Sequence, residues 1–181
     1  MVYAILADGF EEIEAICVID ILRRAGVDVK TVSVTDNKLV CGAHNIPVQA
    51  DILLKDTDDD YNMIFLPGGY PGYINLKQNE KVISLIHSAN ANGKWIAAIC
   101  AAPSILGAEG VLKGKKACCF PGFEEELNCD EVVYDEVVCC DNIITSRGAG
   151  TAHKLGFKLV EILKTKDEAD KLSKTMVYTN E

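Results

Sequence analysis

The sequence lacks the features that would assign it to a membrane or to nucleic acid. No hydrophobic run approaches the roughly 18 residues of a membrane-spanning helix, and the first residues carry no basic segment or apolar run typical of an export signal. Lysine and arginine total 18 against 27 acidic residues, which gives a net charge of −9, and no basic patch is present. We therefore expect a soluble, cytoplasmic protein that binds neither membrane nor nucleic acid.

Cysteine, by contrast, is abundant, but its spacing excludes the common cysteine-based sites. None of the eight cysteines forms a C-x-x-C pair, so the sequence predicts no metal site and no thioredoxin-type motif. Disulfides are rare inside cells, and free cysteines usually pack as small apolar side chains. Most of the eight are expected in the core or in strands, so a reactive cysteine must be recognised from its local sequence.

The chain alternates short apolar runs with segments of helical periodicity. This alternation predicts a mostly parallel sheet covered on both faces, and the lack of linkers and repeats predicts one α/β domain over residues 1–181. The predicted strands are residues 2–6, 27–35, 62–66, 95–99 and 116–120, with strand segments on either side of a turn at 141–142. A hairpin is expected over 39–49. Helices are expected over 11–25 and 80–91, after the glycines of RGAGT up to about residue 163, and from about residue 167.

Cys100 lies where the sequence KWIAAICAAPSIL changes from a strand pattern to a helical one. The small residues Ala98 and Ala102 stand two places to either side, as in the tight strand–turn–helix elbow that presents a nucleophile. In the first turn of a helix, a thiol faces unpaired N–H groups and the positive end of the dipole, so we expect a lowered pKa. The sequence therefore predicts a nucleophile at Cys100, with an inert core cysteine as the alternative.

Two other loops should meet this elbow, since ligands bind at the carboxyl ends of parallel strands. In DGFEEIE, after the first strand, Glu11, Glu12 and Glu14 begin a helix, where acidic residues complement the dipole. The apolar neighbours of Glu14 predict a buried, protonated carboxyl that can exchange a proton with the thiol. In PGGYPG, the N–H of Gly69 could join that of Ala101 as an oxyanion hole. That loop lacks G-x-G-x-x-G, and no cofactor is predicted.

Together these motifs resemble the ThiJ/PfpI superfamily, and within it the branch of the Parkinson-associated deglycase and its bacterial relatives. The matching stretches, in the family's order from residue 8 to 151, are DGFEEIEA, LRRAG, FLPGGYPG, AAICAAP and TSRGAGT. The resemblance implies a flavodoxin-like, doubly wound α/β fold, similar to class I glutamine amidotransferase domains. It also implies that Cys100 is the nucleophile and oxidation-sensitive thiol, Glu14 its acid partner, and Gly69 and Ala101 the oxyanion donors.

The resemblance implies a cysteine-dependent glyoxalase or deglycase that needs no glutathione and protects against oxidative stress. Its substrates would be methylglyoxal, another small carbonyl compound or glycated protein side chains. The alternative is a non-enzymatic redox-sensing chaperone in which Cys100 only changes oxidation state. A role in thiamine (thiazole phosphate) biosynthesis and an intracellular peptidase or amidase activity are also associated with the superfamily. A homodimer is implied, with the first helix, including Arg24, and the loop at Cys41 near its interface.

Two positions depart from the patterns of the superfamily. Peptidase members carry His directly after the nucleophilic cysteine, and this chain has Ala101 there, which argues against a peptidase. The deglycase pattern has a later His-Pro dipeptide, and this chain has Phe120-Pro121. A Cys-His-Glu triad is therefore in doubt, and Glu14 is left as the acid–base group beside the thiol.

The three histidines offer one substitute for the missing imidazole. His153 is expected in the first turn of the helix after RGAGT, near the sheet edge, and it is an accessory candidate together with Gly68 of the PGG turn. A histidine in such a place more often caps or packs a helix. His44 is expected in the excursion over 39–49, near a partner subunit, and His87 on the periphery.

Overall fold

A mostly parallel sheet of seven strands forms the centre of the structure, a computed structural model that describes residues 1–178. The strands are, in chain order, β1 (Val2–Leu6), β2 (Val29–Ser33), β3 (Leu39–Cys41), β4 (Pro47–Gln49), β5 (Ile52–Leu53), β6 (Met63–Leu66), β7 (Trp95–Ile99), β8 (Lys116–Ala117), β9 (Glu131–Val132), β10 (Val137–Cys140) and β11 (Ile143–Ser146). The helices are α1 (Glu12–Arg24), α2 (Gly72–Lys77), α3 (Glu80–Ala91), α4 (Pro103–Ala108), α5 (Ala152–Leu163) and α6 (Lys166–Thr175).

The strand order across the main sheet is β10-β11-β7-β6-β1-β2-β5. All of its pairs are parallel except the edge pair of β10 with β11. Without the two edge strands the order is the 2-1-3-4-5 of flavodoxin-like sheets, which confirms the predicted fold class. Such sheets bind ligands outside the carboxyl ends of the strands, where the order reverses, and here the reversal lies between β1 and β6.

Both faces of the sheet are buried, which explains why its central strands β1, β6 and β7 are continuous apolar runs. In β1, the side chains of Val2, Ala4 and Leu6 pack into the core layer beneath α1 and α5. Those of Tyr3 and Ile5 pack into the opposite layer, beneath α3 and α4. Alternate residues of a strand point to opposite faces, so a strand covered on both sides tends to be apolar on both faces, as β1 is.

Helix α1 begins at a cap that the sequence carries in its own acidic motif. The Glu11 carboxylate accepts the Glu14 N–H at 2.7 Å, which satisfies one of the free donors of the first turn. The helix ends before Gly26, whose φ of +71° lies in the left-handed region that glycine adopts at no steric cost. These two signals place the helix within one residue of its predicted bounds.

One helix that was not expected and the bounds of two strands differ from the sequence expectation. Helix α2 was not expected, because its six residues are too few to show a period. The strand expected over 116–120 ends at Ala117, and the chain then turns so that the Phe120 N–H bonds to the Cys100 carbonyl. Strand β2 is shorter than the predicted 27–35, because only Val29–Ser33 pairs with β1. No helix within residues 1–178 is long and apolar enough to cross a membrane.

Burial of α1 against the sheet is expected to carry much of the stability. Leu22→Ala removes a fully buried side chain and should lower the free energy of unfolding by about 2–5 kcal/mol, measured by urea denaturation. Val177→Ala is the matched control, since Val177 is 82% exposed and its truncation should cost less than about 0.5 kcal/mol. Equal losses for the two variants would contradict the assigned packing of α1.

Candidate active site

The predicted elbow at Cys100 is present between β7 and α4. Cys100 has a φ of +65°, in the left-handed region that is unfavourable for a residue with a Cβ. Its backbone is held on both sides, because its N–H donates to Ser146 O at 2.9 Å and its carbonyl accepts from Phe120 N–H at 2.8 Å. These bonds offset the local strain and fix the half-buried thiol at the carboxyl end of β7.

Glu14 lies in the first turn of α1 with its carboxyl against the Cys100 side chain. Its Oε2 accepts the Gly68 N–H at 2.9 Å. Burial raises the pKa of Glu14 to about 7, and this rise outweighs the lowering by the Cys100 side chain and the Gly68 N–H. A carboxyl with this pKa is partly protonated near neutral pH, so it can both accept and donate a proton there.

The expectation of a lowered thiol pKa at Cys100 is wrong. Burial, followed by the charge of Glu14, raises the pKa of the thiol to about 12, and the N–H groups of Ala101 and Gly69 lower it only in part. The dipole of the six-residue helix α4 does not lower the thiol pKa enough to offset the rise caused by burial and by the neighbouring carboxylate. The two groups are therefore best treated as a pair that shares one proton, since ionising either disfavours ionising the other.

Two glycines leave the space in which this pair meets. A Cβ on Gly68 would lie 2.7 Å from both Cys100 Cβ and Glu14 Oε2, so no larger residue fits. Gly69 has a φ of +96°, and its Cβ would lie 2.3 Å from the Glu11 nitrogen. The turn after β6 thus packs directly against the elbow and the loop before α1. With Cys100, Glu14 and the Ala101 N–H, the structure brings together the residues singled out in the three loops.

His153 lies in the first turn of α5, as expected from the sequence, and its accessory role stays a prediction. Its side chain is exposed, and its ring stacks on Tyr178 with centroids 5.5 Å apart. His87 is peripheral, as expected, and its Nε2 lies 2.7 Å from Glu109 Oε2. Phe120, which stands where the sequence resemblance places the histidine of the human-type deglycase pattern, has its ring beside Gly148.

One contact of the site was not predicted from the sequence. His44, in the turn between β3 and β4, donates its backbone N–H and its Nδ1–H to the two carboxylate oxygens of Glu12, at 2.7 and 2.8 Å. With Glu11, these residues form the one group within residues 1–178 whose ligand atoms all lie within 4.8 Å, as metal ligands would. The Glu12 oxygens are already occupied by the donors of His44. Residues 32 apart in sequence give no local signal of such a pair.

The order of the strands and the cysteine elbow at their carboxyl ends define a flavodoxin-like protein with a buried cysteine–carboxyl pair. The model of the DJ-1/PfpI family matches residues 1–162, and the chain belongs to that family.

Comparison with individual proteins supports this assignment. The chain is 41% identical over 175 residues to Protein DJ-1 homolog B of Arabidopsis thaliana, a match over 95% of this chain and 40% of that protein. It is 32% identical over 171 residues to the Caenorhabditis elegans protein named glutathione-independent glyoxalase DJR-1.2, over 92% and 89% of the two chains. The oxidized Toxoplasma gondii DJ-1 superimposes with a TM-score of 0.95 at 35% identity, over 99% of this chain and 98% of that chain. The chain thus spans less than half of the Arabidopsis relative.

The buried carboxyl should make stability depend on pH in a defined direction. Glu14 has a folded pKa of about 7 against an ordinary value of 4.5, so unfolding releases its proton between these values and stability falls as pH rises. Glu14→Gln removes this penalty and should gain roughly 2–3 kcal/mol relative to wild type between pH 5 and pH 8, measured by urea denaturation.

Glu80→Gln is the matched control, because Glu80 is exposed in the first turn of α3. Its stability should follow that of the wild type at both pH values. Parallel curves for wild type and Glu14→Gln would show that the carboxyl is not buried as described.

Proposed function

We propose that this chain is a cysteine-dependent, glutathione-independent glyoxalase or deglycase that acts on methylglyoxal or early glycation adducts. The observation that carries the proposal is the pair of Cys100 and Glu14 beside the N–H groups of Gly69 and Ala101. This arrangement supplies a nucleophile, a group that exchanges protons near neutral pH, and donors for a developing oxyanion. The name of the Caenorhabditis elegans relative supports the substrate class.

The first step joins the sulfur to the aldehyde carbon. The thiol proton passes to the Glu14 carboxylate as the sulfur attacks, so the pair keeps its single proton while its negative charge moves to the substrate oxygen. The aldehyde C=O opens to an oxyanion that the N–H groups of Gly69 and Ala101 stabilise. Protonation of that oxygen by Glu14 gives a hemithioacetal and returns Glu14 to the carboxylate.

The second stage moves hydrogen between the two carbons of the substrate. Glu14 removes the proton from the sulfur-bearing carbon and delivers it to the ketone oxygen, which gives an enediol. It then takes the proton of the hydroxyl group on the sulfur-bearing carbon and delivers a proton to the neighbouring carbon. The product is a lactoyl thioester on Cys100. Water then cleaves the C–S bond, so the sum of the steps is methylglyoxal plus water to lactate. One carboxyl performs these transfers because its pKa lies near neutrality.

A non-enzymatic redox role of Cys100 is the second candidate. A sulfinate at Cys100 would accept hydrogen bonds from the same N–H groups and from a protonated Glu14. The Toxoplasma gondii relative, whose structure is that of an oxidized protein, favours this candidate. Catalytic turnover separates the two roles, because a sensor has no saturable product formation.

Cys100→Ala should abolish the conversion of methylglyoxal to lactate, because the bond to sulfur cannot form. Lactate is followed in a buffer without amines, since amines consume the substrate. Cys139→Ala, at an exposed cysteine of β10, is the control and should retain wild-type turnover. Lactate formation that survives Cys100→Ala would exclude the proposed mechanism, and a wild type no faster than buffer would favour the redox role.

We also propose that the chain forms a homodimer through α1 and the β3–β4 hairpin. Ile13 and Ile16 of α1 are 54% and 39% exposed, and Ile46 of the hairpin turn is 53% exposed. Exposed aliphatic side chains on adjoining elements are typical of an interaction surface. Arg24, named from the family resemblance, lies at the end of the same helix and pairs with Asp20 at 2.6 Å.

Ile13→Glu should convert the dimer to a monomer, because it places a charge in the apolar surface that a second copy would cover. Light scattering should give about twice the 19.7 kDa chain mass for wild type and one chain mass for the variant. Val177→Glu changes an exposed residue outside this surface and should stay dimeric. A wild type with the mass of one chain would refute the dimer.

A further inference from the structure

The carboxylate of Glu12 is buried and tied to the β3–β4 turn. Its side chain is 9% exposed, whereas that of His44 is 70% exposed. Burial alone would raise the pKa of Glu12, but the hydrogen bonds from His44 hold it below its ordinary value, so the carboxylate is ionised. A single residue of the turn thus satisfies both oxygens of a buried charge.

The β3–β4 turn packs tightly against the Glu12 carboxylate. A Cβ on Gly42 would lie 2.3 Å from Glu12 Oε1 and 2.4 Å from its Cδ. Glycine at this position therefore lets the turn approach the helix start closely enough for His44 to reach Glu12.

The same turn holds the loop formed by residues 9–11. The Gly9 N–H donates to Cys41 O at 2.7 Å, and the Ala43 N–H donates to Phe10 O at 2.8 Å. These bonds join β3 and its turn to the chain between β1 and α1. The Glu12–His44 contact closes this connection at the first residue of the helix.

The opposite side of loop 9–11 contacts the glycine turn that follows β6. The Glu11 N–H donates to Gly68 O at 3.0 Å, and the Gly72 N–H donates to Gly9 O at 3.1 Å. A Cβ on Gly69 would overlap both the Glu11 nitrogen and the Gly9 oxygen. The loop is thus enclosed between the β3–β4 turn and the turn that presents the Gly69 N–H.

We propose that Glu12 and His44 are a positioning pair that fixes loop 9–11 and, through it, the Gly69 N–H and the Glu14 carboxyl relative to Cys100. Neither residue touches the reacting atoms. The proposal rests on the proposed function for its catalytic readout, but the reactivity of the Cys100 thiol reports the same geometry without any substrate.

Loss of the pair should reduce kcat and leave KM nearly unchanged, because a displaced oxyanion donor weakens the transition state more than the bound substrate. Displacement costs less than deletion of the donor, so we expect His44→Ala and Glu12→Gln to lower kcat by about tenfold. His44→Asn keeps a donor at the position of Nδ1 and should recover most of the activity. His87→Ala removes the similar surface pair with Glu109 and should behave as wild type.

Alkylation of Cys100 by iodoacetamide, followed by peptide mass spectrometry, separates this inference from the glyoxalase proposal. The Gly69 N–H favours the thiolate, so alkylation should slow in His44→Ala and recover in His44→Asn, whether or not lactate is formed. Variants are compared at equal mass by light scattering and after confirmation of a folded state. His44→Ala keeps the test decisive if Glu12→Gln does not fold, because the ring is mostly exposed. Alkylation rates equal to wild type in a folded His44→Ala would overturn the proposal.

Discussion

The burial of one carboxyl beside one thiol is the constraint on which the rest of the site depends. Glu14 has a pKa near 7 because the sheet and α1 exclude water from it, and its charge in turn disfavours the Cys100 thiolate. Two negative charges cannot share this space at ordinary pH, so the pair keeps one proton, which in the proposed mechanism passes between sulfur and oxygen. A freely solvated glutamate would ionise far below neutrality and would have no proton to return.

The site also requires its loops to approach one another closely, and a glycine makes this possible at each of two contacts. Gly68 lets the turn after β6 contact both members of the pair, and Gly42 lets the β3–β4 turn contact Glu12. Because backbone atoms fill these spaces, the N–H of Gly69 is held by the packing of three loops. The proposed oxyanion donor is thus positioned before any substrate arrives, which is the condition under which such a donor is most effective.

The fold and the members of the site followed from local sequence, whereas its electrostatics did not. Apolar runs of strand length and the small residues around Cys100 indicated the sheet and the elbow, since both signals lie within a few residues. The thiol pKa was misjudged because the helix dipole is visible in sequence and the opposing burial and carboxylate are tertiary. The place of His153 in the first turn of its helix could be predicted, whereas the stacking of its ring on Tyr178 depends on the path of the chain after α6. The Glu12–His44 pair joins residues far apart in the chain, and no local pattern reports it.

The site concentrates two features that oppose stability. Cys100 occupies a left-handed conformation that costs roughly 1–2 kcal/mol for a residue with a Cβ, and Glu14 loses hydration on burial. Hydrogen bonds from neighbouring strands and loops hold both residues in place, so the cost falls on the surrounding fold. The elbow turns the thiol toward Glu14, and burial of Glu14 sets its proton affinity. A glycine at position 100 or a solvated residue at position 14 would relieve the cost, and each would remove one half of the proton-sharing pair.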